Sequence, residues 1–128
     1  MMTLIDILKD SKYKLSQFEK GDKIKKLEES IFLKTVRGKE AAYIKCLVRK
    51  KDIKLTPEEA VRQLFLQSLI EDYLYPADRM ELEYAVSFGR EKKRADIVIF
   101  DKDKTTSPYI VIELKKPKKN SWMYYILN

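Results

Sequence analysis

Apolar and polar positions change period along the chain at identifiable breaks. Leu4, Ile5, Ile7 and Leu8, then Phe18, Ile24, Leu27 and Ile31, fall at helical spacing among charged residues. This predicts two short helices broken near Gly21-Asp22, with Asp22 capping the second. Ile31 to Arg37 and Ala41 to Val48 flank Gly38-Lys39-Glu40 and read as a β-hairpin, followed by a short extended piece at Ile53 to Leu55. Thr56-Pro57-Glu58-Glu59 is a helix start, with Thr at the N-cap, Pro at the first helical position and Glu59 placed as a capping-box partner. That helix is expected to reach about Leu74, where Tyr75-Pro76 stops it. Its apolar residues lie round much of the circumference, as in a core helix.

Met80 to Phe88 alternates apolar and polar, a strand with one covered face and with Glu81 and Glu83 as its exposed residues. Gly89 to Lys93 turns the chain into Arg94-Ala-Asp-Ile-Val-Ile-Phe, and Asp101 to Pro108 turns it again into Tyr109-Ile-Val-Ile-Glu-Leu-Lys-Lys-Pro117. Ile and Val suit a pleated surface and the Asp/Ser/Pro cluster suits a turn, so these two runs form a hairpin. Both are nearly all apolar, which predicts that both faces are covered.

Candidate chemistry sits in what remains polar there. A turn centred between Lys104 and Thr105 puts Asp96 directly opposite Glu113, and alternation puts Lys115 on the face of Glu113. Burying charge is costly unless it is paired or bound to a metal. Two close carboxylates repel and a cation relieves them, and hard oxygen donors with open positions suit Mg²⁺ or Mn²⁺. A nearby lysine can orient a metal-held water or stabilise charge developing on a phosphate. Together these groups suit metal-assisted phosphodiester hydrolysis.

Asp96, sixteen intervening residues, and Glu113-Leu-Lys115 resemble the PD-(D/E)xK nuclease signature, with Ala95-Asp96 in place of Pro-Asp. With Arg49 to Gln63, Arg94-Ala-Asp96 and Ile112 to Pro117, the chain from about Ala41 to Pro117 looks like the N-terminal nuclease domain of the restriction (motor) subunit of type I restriction-modification systems. The resemblance implies an α+β (α/β) fold with a restriction-endonuclease-like core. In that core a helix precedes a three-stranded mixed or antiparallel sheet, here with N-terminal helices and a β-hairpin added. It implies Asp96 and Glu113 as metal ligands and Lys115 as the catalytic lysine. It also implies Glu59 as an accessory acid, with Glu58 as runner-up; on the residues alone Glu59 reads first as a cap. The partners implied are DNA and the motor, methyltransferase and specificity subunits.

The family continues into a helix carrying Gln-x-x-x-Tyr, whereas this chain gives Lys118-Lys-Asn-Ser-Trp-Met-Tyr-Tyr-Ile-Leu-Asn128 without a matching Gln. Two readings stay open: a shortened or frame-disrupted product, or a tail with another job, such as homodimer pairing through Trp122, Tyr124, Tyr125 and Ile126. The length of 128 residues suits one domain. Residues 1–30 then form a helical extension, 31–117 the nuclease-like core and 118–128 a divergent tail.

Composition narrows the chemistry further. The chain has no histidine and one cysteine, which excludes His-based triads, His-based zinc sites and an internal disulfide. A net charge of +7 favours a polyanionic partner. Clusters at Lys23 to Lys26, Arg49 to Lys51, Lys92-Lys93-Arg94 and Lys115 to Lys119 are candidate phosphate contacts, with Lys116, Lys118 and Lys119 beside the site. No run suits a membrane span and acids interrupt the apolar N-terminus, so the expected location is the cytoplasm. Two further functions compete with hydrolysis: an inactive nuclease-fold module that binds DNA or protein, and a basic α+β binding protein in which Asp96, Glu113 and Lys115 form only an ion-pair network.

Overall fold

A computed structural model describes residues 3–9 and 22–114. Phe18, Lys115, Lys116, Lys118, Lys119 and the aromatic tail from Trp122 to Ile126 lie outside the described residues. In chain order the elements are helix α1 (Leu4–Leu8), helix α2 (Lys23–Ser30), strands β1 (Phe32–Val36), β2 (Lys39–Lys45) and β3 (Asp52–Lys54), and helix α3 (Pro57–Glu71). After a 3₁₀ turn at Ala77–Arg79 come strands β4 (Met80–Phe88), β5 (Glu91–Phe100) and β6 (Pro108–Ile112). The class is α+β. The described strands form two antiparallel three-stranded sheets, β1-β2-β3 and β4-β5-β6.

Helix α3 packs against both sheets, which explains why its apolar residues lie round much of its circumference. Its first half buries Ala60, Val61 and Leu64 against Leu4, Leu8, Leu27, Ala42 and Ile44. Its second half buries Leu66 and Leu69 against Met80, Leu82, Ile97, Ile99 and Ile112. A second cluster, Val86, Ala95, Val98, Phe100 and Val111, also draws on the second sheet. Both faces of β5 are therefore covered, as its continuous apolar run predicts.

Several boundaries differ from expectation. Asp22 is at the N-cap of α2 but makes no side-chain cap bond. Helix α3 ends at Glu71 rather than near Leu74, because Leu74 takes a left-handed conformation (φ +61). The Tyr75 N–H then folds back to the Leu69 carbonyl at 3.0 Å. The first hairpin turns at Arg37-Gly38, one residue earlier than predicted, because a two-residue turn needs positive φ at both central positions and Gly38 supplies the second. Arg37 fills the first at φ +54, where Asn is better tolerated. Arg37→Asn is expected to stabilise the chain by up to about 1 kcal/mol, read as a raised thermal midpoint.

Strand β2 stops at Lys45 instead of Val48 because a turn follows. In it Cys46 N–H donates to the Lys51 carbonyl at 2.9 Å, and Lys50 takes φ +58. No helix among the described residues is long and apolar enough to cross a membrane.

Candidate active site

The carboxylate pair forms where the β5–β6 ladder ends. Ile97 pairs with Ile112, Val98 with Val111 and Ile99 with Ile110, the register that a turn centred between Lys104 and Thr105 demands. A bulge at Ile99 and Phe100 then shifts the pairing by one residue on the turn side, away from the site. Continuing the ladder one step past Ile97 and Ile112 places Asp96 opposite Glu113. There the Leu114 N–H donates to Asp96 Oδ2 at 2.7 Å, so a side chain takes over the acceptor role of the missing ladder carbonyl.

Asp96 is half-buried. Burial pushes its carboxyl above the ordinary value, and the Glu113 and Glu83 charges push the same way; the Leu114 N–H and the Arg62 guanidinium oppose them. A raised carboxyl beside a second carboxylate is a site that gains from a cation.

Glu83 is a residue that sequence patterning assigned to solvent. It lies between the pairs Leu82–Ile97 and Tyr84–Ala95, outside the ladder and opposite Asp96, with φ +53. This irregularity upsets the alternation on the neighbouring strand: Ala95 and Val98, three residues apart, share one buried cluster. The signal was available in the sequence, because a tight turn at Gly89-Arg90 sets Glu83 against Asp96 by the same register logic that sets Glu113 there. Glu81 is exposed, as expected.

Glu59 does not close a capping box. Thr56 Oγ1 accepts from the Glu59 N–H at 3.2 Å, but the Glu59 carboxylate turns the other way. Arg62 Nη2 donates to Oε1 at 2.6 Å, Arg62 Nε to Oε2 at 3.0 Å and Gln63 Nε2 to Oε2 at 3.0 Å. The inward stripe of α3 thus carries an acid–arginine pair, and Arg62 faces Glu83 and Asp96 electrostatically. Glu58 is exposed.

Gln63 is fully buried and uses its whole amide. Besides Glu59 it donates to Cys46 Sγ at 3.3 Å, and its Oε1 accepts from the Leu47 N–H at 3.2 Å. This fastens the turn after β2, which carries Arg49, to α3. Arg49 Nη2 donates to Glu83 Oε2 at 3.1 Å and to the Leu82 carbonyl at 3.3 Å. Burial disfavours the Glu83 carboxylate, but the Arg49 hydrogen bond and the charges of Arg62, Arg94 and Arg49 outweigh it and lower its pKa. Of the candidate phosphate contacts, Lys92, Lys93 and Arg94 are exposed on β5, and Arg94 Nε donates to the Glu83 carbonyl at 3.1 Å.

Among the described residues no group of three or more His, Cys, Asp or Glu side chains is placed to hold a metal. The donors that remain are Asp96 and Glu113. A pair of hard carboxylates fits Mg²⁺, which commonly binds through one or two carboxylates and keeps several waters.

The sequence profile described as type I restriction enzyme R protein N terminus matches residues 57–123, just over half of the chain. The match runs from the first residue of α3 across Glu59, Asp96 and Glu113. No curated protein and no solved structure matches significantly.

Proposed function

Because the chain belongs to the family of type I restriction enzyme R protein N termini, we propose that it is a metal-dependent DNA endonuclease domain of a restriction-modification system. The observation that carries this reading is the half-buried Asp96, set opposite Glu113 at the end of a ladder, with its carboxyl raised by burial and, to a smaller extent, by the Glu113 charge. In the reading, Asp96 and Glu113 hold Mg²⁺ or Mn²⁺ and Lys115 stabilises the charge that develops on the phosphate. Bound there, the cation would polarise the phosphodiester and supply a water of lowered pKa as nucleophile. Glu59 enters through Arg62, whose guanidinium it holds against the acidic row. DNA, and the other subunits of such a system, are the partners this reading calls for.

Metal binding provides the direct test. A cation that relieves two close carboxylates stabilises the fold by RT ln(1 + [L]/Kd), about 2.7 kcal/mol at a hundredfold excess over Kd. Melting curves of the wild type are expected to move upward with Mn²⁺, and those of Asp96→Asn to stay in place. Equal upward shifts in both proteins would show that the metal binds elsewhere.

One observation favours a second reading, a non-cleaving DNA-binding module on the same fold. Glu83, across from Asp96, and Glu59 are both engaged by arginines. Metal-dependent nicking separates the two readings.

A further inference from the structure

Arg49, Arg62 and Arg94 come from three separate segments, the turn after β2, helix α3 and strand β5, and converge around Glu83. Arg49 holds its carboxylate at 3.1 Å and Arg94 its carbonyl at 3.1 Å, while Arg62 contributes charge from the α3 side. The cluster is built rather than incidental. Gln63 ties down the turn that carries Arg49, Glu59 fixes Arg62 through two nitrogens, and Glu83 leaves the β4 ladder with φ +53. A positive φ at a residue with a side chain is unfavourable, and here it turns the Glu83 carbonyl to Arg94 and the carboxylate to Arg49. Guanidinium groups recognise phosphate oxygens as readily as carboxylate oxygens. The Arg49 and Glu83 side chains keep 33% and 37% of their surface exposed, so a ligand can reach them.

We propose that Arg49 and Arg94, backed by the charge of Arg62, form a cradle for one backbone phosphate of DNA next to Asp96, and that the Glu83 carboxylate stands in for that phosphate until DNA displaces it. The proposal rests on the reading of the chain as a DNA-handling domain and adds to it the residues that seat a phosphate. It also gives Glu83 a role other than metal ligation, consistent with its arginine partners. Glu83 acts by competition: while its charge remains, the Arg49 guanidinium is already satisfied.

The test uses the whole chain and a fluorescein-labelled DNA duplex, titrated in EDTA over a range of salt concentrations so that no cleavage intervenes. Glu83→Gln keeps the side chain's shape and removes the competing charge, and it is expected to bind about fivefold more tightly than wild type. Glu81→Gln removes the same charge from an exposed position on the same strand and is expected to change affinity far less. Arg49→Gln and Arg94→Gln are each expected to weaken binding and to reduce the salt slope by about one.

Equal gains in Glu83→Gln and Glu81→Gln would overturn the cradle, as would undiminished affinity in both arginine variants or no measurable binding by wild type and Glu83→Gln alike. If Glu83 only braces Arg49 structurally, Glu83→Gln would lower the melting temperature without tightening binding. Absence of metal-dependent nicking would count against the hydrolase reading and leave these binding results standing. Unchanged binding in Glu83→Gln beside intact nicking would do the reverse.

Discussion

Asp96→Asn is expected to lower metal-dependent nicking of DNA by more than about a hundredfold, while leaving the metal-free chain at least as stable as wild type. The first effect follows from the several kcal/mol that a bound cation contributes to charge stabilisation at a reacting phosphate. The second follows from the burial of Asp96. Its folded pKa is raised above the ordinary 3.8, so the ionised form costs stability: the cost is absent below the unfolded pKa and grows as pH rises through the folded pKa. Asparagine removes that cost and keeps an oxygen to accept the Leu114 N–H.

Metal-free melting curves of the wild type should accordingly show a contribution from Asp96 that declines as pH rises from acid towards neutral, and Asp96→Asn should lack it. Nicking that survives in Asp96→Asn would remove this carboxylate from the site. Wild-type protein that binds DNA with a steep salt slope, yet never nicks it with Mg²⁺ or Mn²⁺, would establish the non-cleaving module instead.

Arg62→Met is expected to cost about 3–5 kcal/mol, because it leaves Glu59 buried without its counter-ion. Both side chains of this pair are only 12% exposed, so water replaces little of the lost partner. Besides Arg62, the Gln63 amide donates to the Glu59 carboxylate at 3.0 Å. For a chain of this size the loss corresponds to a fall in melting temperature of roughly 10 °C or more. The double variant Glu59→Met/Arg62→Met should recover much of it, since two apolar side chains of similar volume need no charge partner. A loss under about 1 kcal/mol in Arg62→Met would mean that the pair behaves as a solvent-screened surface contact.

The carboxylate pair was legible because it depends on local rules. A β-hairpin fixes which residues face each other, so the position of one turn sufficed to set Asp96 against Glu113, and the bulge at Ile99 and Phe100 left that register intact. The start of α3 was equally local: Thr56 caps it and Pro57 occupies its first position. The apolar residues round much of the circumference of α3 announced a core helix, and the two sheets, with α1 and α2, supply its cover.

What the sequence could not settle is where long polar side chains go once elements far apart in the chain come together. Glu59 had a local partner available in its own N-cap and turned to Arg62 and Gln63 instead. Half-buried against α3's neighbours, its charge gains more from a guanidinium at 2.6 Å than from a backbone N–H open to solvent. Glu83 sits at a polar position of an alternating strand, which by pattern alone means exposure. The β4–β5 turn sets it across from Asp96, but only the meeting of that hairpin with the Arg49 turn and α3 brings Arg49 and Arg62 to it. The sequence by itself determined the helix start, the strand register and the opposed acids, since each is decided within a few residues or one hairpin. Tertiary structure decided the Arg49–Glu83 contact between distant segments and the partial burial that favours the i,i+3 Glu59–Arg62 pair over the N-cap, because the energy of a charge removed from water depends on neighbours that chain-local pattern does not specify.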